Sequence, residues 1–143
     1  MSFPIATGTR GLAYLIDTNI AIHARDGAER VLDKLAEHDG AVLLSALSLV
    51  ELQRGLYKDP AYTALRQARL DVLLRHIPVL PFDAAAAQAY GQIIAQREWA
   101  RGRDYDRMIA AHAIASGSVL VTDNSADFKD VPGLSIENWA GDV

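Results

Sequence analysis

Apolar positions along the chain follow two rhythms that take turns. Short unbroken runs of strand character stand at Ala13-Tyr14-Leu15-Ile16, Ala41-Val42-Leu43-Leu44 and Val119-Leu120-Val121-Thr122. Such runs mark strands covered on both faces. Between them the spacing shifts to three and four residues. Ile20–Ala24 reads as a short helix and Ala28–Glu37 as a longer one, with Val31, Leu32 and Leu35 on one side and Gly40 stopping it. Ser45 and Ser48 offer N-caps to a helix that runs through Leu56 and is closed by Gly55. Pro60 starts a long amphipathic helix that Tyr62, Leu65, Leu70, Leu73 and Leu74 mark as far as His76. Ile77-Pro78-Val79-Leu80-Pro81 carries too much proline for a central strand and suits a short edge strand. Asp83 caps an alanine-rich helix to about Glu98, and a charged loop covers Ala100–Tyr105. Asp106 opens a helix, Arg107–Ser116, that Gly117 ends, and Leu134-Ser135-Ile136 is the last candidate strand. Strands alternating with helices predict an α/β domain: a central parallel sheet of four to five strands with helices on both faces.

Composition narrows the chemistry. The 143 residues suffice for one domain with a sizeable core, and no repeat or low-complexity linker divides them. A net charge of −4 gives no global footprint of nucleic-acid binding, although an acidic metal site would carry part of that count. Without cysteine, disulfides, thiolate metal sites and thiol catalysis are excluded. The opening Met1–Gly11 has Pro4, Gly8 and Gly11 and lacks a long apolar core, so it reads as an extension and not a signal peptide. No stretch approaches the ~20 apolar residues of a membrane span, and the expected location is the cytoplasm.

The stretch Ala13–Ile20 organises the rest, because its apolar run delivers an acid, Asp17, at the carboxyl end of a strand. Functional crevices of open α/β sheets lie at those ends. Taken singly, each acid has a plain structural reading. Asp17 and Asp106 are suited to helix N-caps. Glu51, flanked by Leu47, Val50 and Leu52, sits where a carboxylate is partly buried and needs a partner or a cation. Asp123, Asn124 and Asp127 leave the end of a further strand. Together they place three or four acids on one rim, where mutual repulsion is relieved by divalent cations or raised pKa values. Oxygen ligands alone suit Mg²⁺ or Mn²⁺ better than zinc, and such a rim points to phosphate-ester chemistry.

These residues match a known pattern. Leu15-Ile16-Asp17-Thr18-Asn19, the Ser45…Val50-Glu51-Leu52 segment, Asp106-Arg107-Met108-Ile109-Ala110-Ala111-His112-Ala113 and Leu120-Val121-Thr122-Asp123-Asn124…Asp127-Phe128 resemble the PIN-domain ribonucleases, and among them the VapC-type toxins of type II toxin–antitoxin pairs. The tail Val131-Pro132-Gly133-Leu134…Ile136-Glu137-Asn138-Trp139 is similar as well. The resemblance implies a PIN domain over 12–143, with 1–11 as an extension. It also implies a Mg²⁺- or Mn²⁺-dependent endoribonuclease acting on tRNA or rRNA, homodimeric, and neutralised by a VapB-type antitoxin through which alone it would meet DNA.

Carried over by residue, the resemblance makes Asp17, Glu51 and Asp106 the metal-binding catalytic acids. Asp127 is favoured as the fourth, over Asp123, with Asn124 hydrogen-bonding nearby. Thr18 and Thr122 would orient ligands or phosphate oxygens, and Arg97, Arg101, Arg103 and Arg107 would grip the RNA backbone. His23 and His112 are tempting catalysts, but His112 lies on an apolar helix and reads as a packed residue. The antitoxin is expected across Ala61–His76 and Leu47–Tyr57. Three rivals remain: a phosphoacceptor receiver domain, disfavoured by Glu51 within a helix and by the lack of a lysine after a late strand; a non-catalytic interaction module; and a PIN-fold protein acting mainly within an antitoxin–DNA regulatory complex.

Overall fold

Five short parallel strands hold the chain together in the order β3-β2-β1-β4-β5. They are β1 (Ala13–Ile16), β2 (Val42–Ser45), β3 (Val79–Leu80), β4 (Ser118–Val121) and β5 (Ile136–Glu137). The computed structural model describes residues 12–97 and 104–141. The expected extension 1–11 and most of the expected charged loop lie outside the described residues. Among the described residues six helices connect the strands: α1 (Thr18–Arg25), α2 (Glu29–Glu37), α3 (Ala46–Leu56), α4 (Thr63–His76), α5 (Ala84–Arg97) and α6 (Asp104–Ala115). Among the described residues no helix is long and apolar enough to cross a membrane.

The period of two along each strand sorts the core onto the two faces of the sheet. Tyr14 and Ile16 of β1, Val42 and Leu44 of β2, and Val119 and Val121 of β4 pack with Ile20, Leu52, Leu56 and Leu70. Ala13, Leu15, Leu43 and Leu120 point the other way, onto Ile93 of α5 and Ile109, Ala110 and Ala113 of α6. One layer therefore holds α1, α3 and α4 and the other holds α5 and α6. The three central strands are buried throughout, as their unbroken apolar runs predict.

Helix boundaries differ from the sequence reading where a distant contact intervenes. The α3 helix ends at Leu56 as expected, with Leu52 and Leu56 both buried, but its C-cap is Tyr57 and not Gly55. Pro60–Tyr62 forms a separate 3-10 turn before α4. The α6 helix begins at Asp104, whose carboxylate accepts a 2.8 Å hydrogen bond from the Tyr90 hydroxyl of α5. Asp106 therefore lies inside the first turn of α6 and does not open it.

A buried polar link ties the two layers. Ser45 caps α3 by accepting from Leu47 N (3.0 Å), and His112 Nδ1 of α6 lies 2.9 Å from the same hydroxyl. The His112 ring also bonds the Pro81 carbonyl, and burial pushes its pKa down, keeping it neutral. A carbonyl only accepts, so the single ring N–H points to Pro81 and Nδ1 accepts from Ser45. Ser45→Ala removes the cap and leaves a ring nitrogen without its donor. It is expected to destabilise the protein by about 1–3 kcal/mol, measured by urea unfolding.

Candidate functional site

The strand order reverses between β1 and β4, and that is where the acids come out. The chain steps outward from β1 to β2 and β3, then returns to place β4 on the other side of β1. Ile16 is in register with Val121, and Asp17 N donates to the Val121 carbonyl (2.9 Å), so Asp17 and Thr122 leave neighbouring strands side by side. This is the switch point at which open parallel sheets form their crevice.

Asp17 caps α1 by accepting from Ile20 N at 2.9 Å and takes a second hydrogen bond from the Thr122 hydroxyl. Thr122 Oγ1 in turn accepts from Asn124 N (3.0 Å). Only 9% of Asp17 is exposed. Burial pushes its pKa up to about 6; the bonds from Thr122 and Ile20 oppose this, and the charges of Asp123 and Asp106 reinforce it. Three acids from β1, β4 and α6 thus share one electrostatic neighbourhood.

Glu51 approaches from α3, where Thr18 at the start of α1 donates to its Oε1 (2.5 Å). The Tyr105 hydroxyl, one residue before Asp106, lies among Glu51, Thr18 and the Leu47 carbonyl. Its pKa is raised by burial and by the Glu51 charge, against an opposing pull from Arg54. Asp127 sits on the 3-10 turn Ser125–Phe128 and accepts from Asn124 Nδ2. His23 Nε2 meets Asp123 Oδ2 at 2.9 Å on the rim.

Of the predicted arginine patch, only the Arg107 side chain is described. Arg107 is buried and donates to Asp130 at 3.1 Å, so its guanidinium is engaged within the fold and is not a freely exposed phosphate ligand. Arg101, Arg103 and the side chain of Arg97 lie outside the described residues. The sequence reading passed over Tyr105, which bridges the surroundings of Glu51 and Asp106. It also passed over Arg54, Lys58 and Arg66 beside Glu51. The available signal was the three-residue step from Glu51 to Arg54, which puts both on one side of α3.

The donor set suits a hard divalent cation. It is all oxygen, and a buried carboxylate raised by two like charges is relieved when a cation joins it. Among the described residues no three acidic or histidine side chains close round a single point, as they would in an all-protein cage. Mg²⁺ is commonly held by one or two carboxylates, with waters and substrate phosphates completing the shell.

Comparison with known proteins fits this architecture. The PIN domain family matches residues 14–134. The chain belongs to the PIN-domain family, among its VapC ribonucleases. It is 33% identical over 135 residues to Ribonuclease VapC2 of Rickettsia felis, covering 90% of this chain and 98% of that one. It is 33% identical over 132 residues to the tRNA(fMet)-specific endonuclease VapC of Shigella flexneri, covering 90% and 99%. Among solved structures, DNA-bound VapBC from Salmonella typhimurium superimposes with a TM-score of 0.80 at 32% identity, covering 90% of this chain and 98% of that one.

The raised pKa of Asp17 has a stability consequence. Between the ordinary value of 3.8 and about 6 the folded protein holds a proton that the unfolded chain has lost. Stability therefore falls as pH rises through that window, and the penalty is complete above it. In chelator, Asp17→Asn is expected to raise stability by up to roughly 3 kcal/mol at neutral pH. The gain should vanish near pH 4. Denaturant midpoints of the two proteins across pH check this.

Proposed function

We propose that the protein is a metal-dependent endoribonuclease toxin that hydrolyses RNA phosphodiester bonds and is neutralised by a VapB-type antitoxin. The observation that carries the proposal is that the charges of Asp106 and Asp123 act on buried Asp17 at the sheet's switch point, while Thr18, the next residue, holds Glu51. Asp17 and Asp106 would hold Mg²⁺ or Mn²⁺, with Glu51 binding directly or through water. Asp123 adds its charge at Asp17, and Asp127 with Asn124 flanks the rim.

Held by these acids, a divalent cation would supply a more acidic water and relief of negative charge at the phosphate. The chain's own residues set the geometry. Thr122 fixes the Asp17 carboxylate from the next strand, and Thr18 fixes Glu51. His23 restrains Asp123. His112, neutral and bonded on both ring nitrogens, supports the scaffold and takes no proton in the reaction.

A tRNA is the first substrate to try, because a relative at 33% identity is named for cutting one. The VapBC assemblies among the structural relatives support an antitoxin partner, and a homodimer is the toxin unit the reading proposes. An apolar groove of about 710 Å³ between α1, α2 and α4, lined by Leu32, Leu35, Val72 and Leu73, offers it a seat. Arg25 lines both this groove and the cleft beside Glu51, so a segment in one borders the other. A second reading, action within an antitoxin–DNA regulatory complex, is favoured by the DNA-bound relatives and is compatible with the first.

The test is cleavage of a panel of tRNAs and rRNA fragments with Mg²⁺, Mn²⁺ or EDTA. Discrete metal-dependent cuts are expected, reduced on the order of 100-fold or more in Asp106→Asn. Cuts that survive both EDTA and the substitution would overturn the proposal.

A further inference from the structure

A second concavity, about 810 Å³, opens beside Glu51 between α1, the end of α3 and α4. Thr18 and Glu51 form one wall, so the cleft runs directly into the candidate site. Its lining carries four cations, Arg25, Arg54, Lys58 and Arg66, against one acid, Glu51. In a chain of net charge −4 this is a local reversal of sign. Arg25 is engaged with Asp26 (3.0 Å). Among the described residues no ion pair engages Arg54, Lys58 or Arg66.

The cations come with aromatic surface. Tyr57, on the same lining, is 67% exposed. Arg66 donates to the Gly55 carbonyl (3.4 Å), and its guanidinium lies 5.4 Å from the centre of the Tyr62 ring. These contacts hold the Arg66 head across from the end of α3. A groove that joins spaced cations to an exposed aromatic ring has the chemistry of a single-stranded nucleic-acid track: charges for successive phosphates and a flat face for a base.

We infer that this cleft is the path of the RNA strand beside the scissile phosphate, with Arg54, Lys58 and Arg66 on backbone phosphates and Tyr57 stacked on a base. The inference rests on the ribonuclease reading and deepens it. It assigns binding to cations on α3, α4 and the turn between them. Contacts of this kind are blind to sequence, so the track would supply affinity and register, leaving base selection to other surfaces.

The test uses a fluorescently labelled, mixed-sequence single-stranded RNA and the full chain. Affinity is measured by anisotropy in EDTA over a range of NaCl. Replacing all three cations (Arg54→Gln, Lys58→Gln, Arg66→Gln) is expected to flatten the slope of log affinity against log salt by about 2, near 0.7 per lost phosphate contact. With Mg²⁺ or Mn²⁺ added, KM for cleavage should rise at least tenfold with kcat little changed. Lys34→Gln with Arg75→Gln removes two cations elsewhere and should leave the slope alone. Should the triple variant fail to fold, the exposed side chains decide: Lys58→Gln should flatten the slope by about 0.7, and Tyr57→Ala should weaken binding about tenfold. If the wild type cuts RNA and these variants keep its KM and salt slope, the track is wrong and the ribonuclease reading stands. If the wild type neither binds nor cuts any RNA, both fall.

Discussion

Everything at the candidate site depends on the pairing of β1 with β4. The register of Ile16 with Val121 sets Asp17 against Thr122 and brings Asp123 within range of the Asp17 charge. Neither strand is long, and both are wholly buried, so the pairing is fixed by packing on both faces. A slip of one residue would exchange the faces of β4, sending Val119 and Val121 to the helices that Leu120 now meets. The register that satisfies the core is also the register that assembles the acids.

The same coupling sets an opposition between folding and function. Burial and like charge disfavour the ionised form of Asp17, and the bonds from Thr122 and Ile20 only partly offset this. The fold keeps a carboxylate where an isolated side chain would avoid ionising. A cation bound beside Asp17 would reverse that balance.

Much of this was legible in the sequence, and the failures share a cause. The apolar runs gave β1, β2 and β4 to within a residue, because strands buried on both faces leave a signal that does not depend on what covers them. Asp17 was readable as a strand-end acid, and the apolar neighbours of Glu51 announced its partial burial. What could not be read were contacts between residues far apart in the chain. Asp104 joins α6 because Tyr90 reaches it. Arg107, taken for a phosphate ligand, is drawn inward by Asp130, 23 positions away. Tyr105 gains its role from α1 and α3, neither of which is near it in sequence.

The late position of β4 in the chain bears on how such a protein is made. While the ribosome is still short of residue 118, β1 has an open edge on that side, and Asp17 has neither Thr122 nor Asp123 beside it. Three of the acids already exist in the nascent chain, yet the strand that would organise them has not been synthesised. A chain cut between Asp106 and β4 holds Asp17, Glu51 and Asp106 but lacks the Thr122 bond and the Asp123 charge at Asp17. The order of its strands therefore makes the Asp17 surroundings one of the last parts of the fold that synthesis can complete.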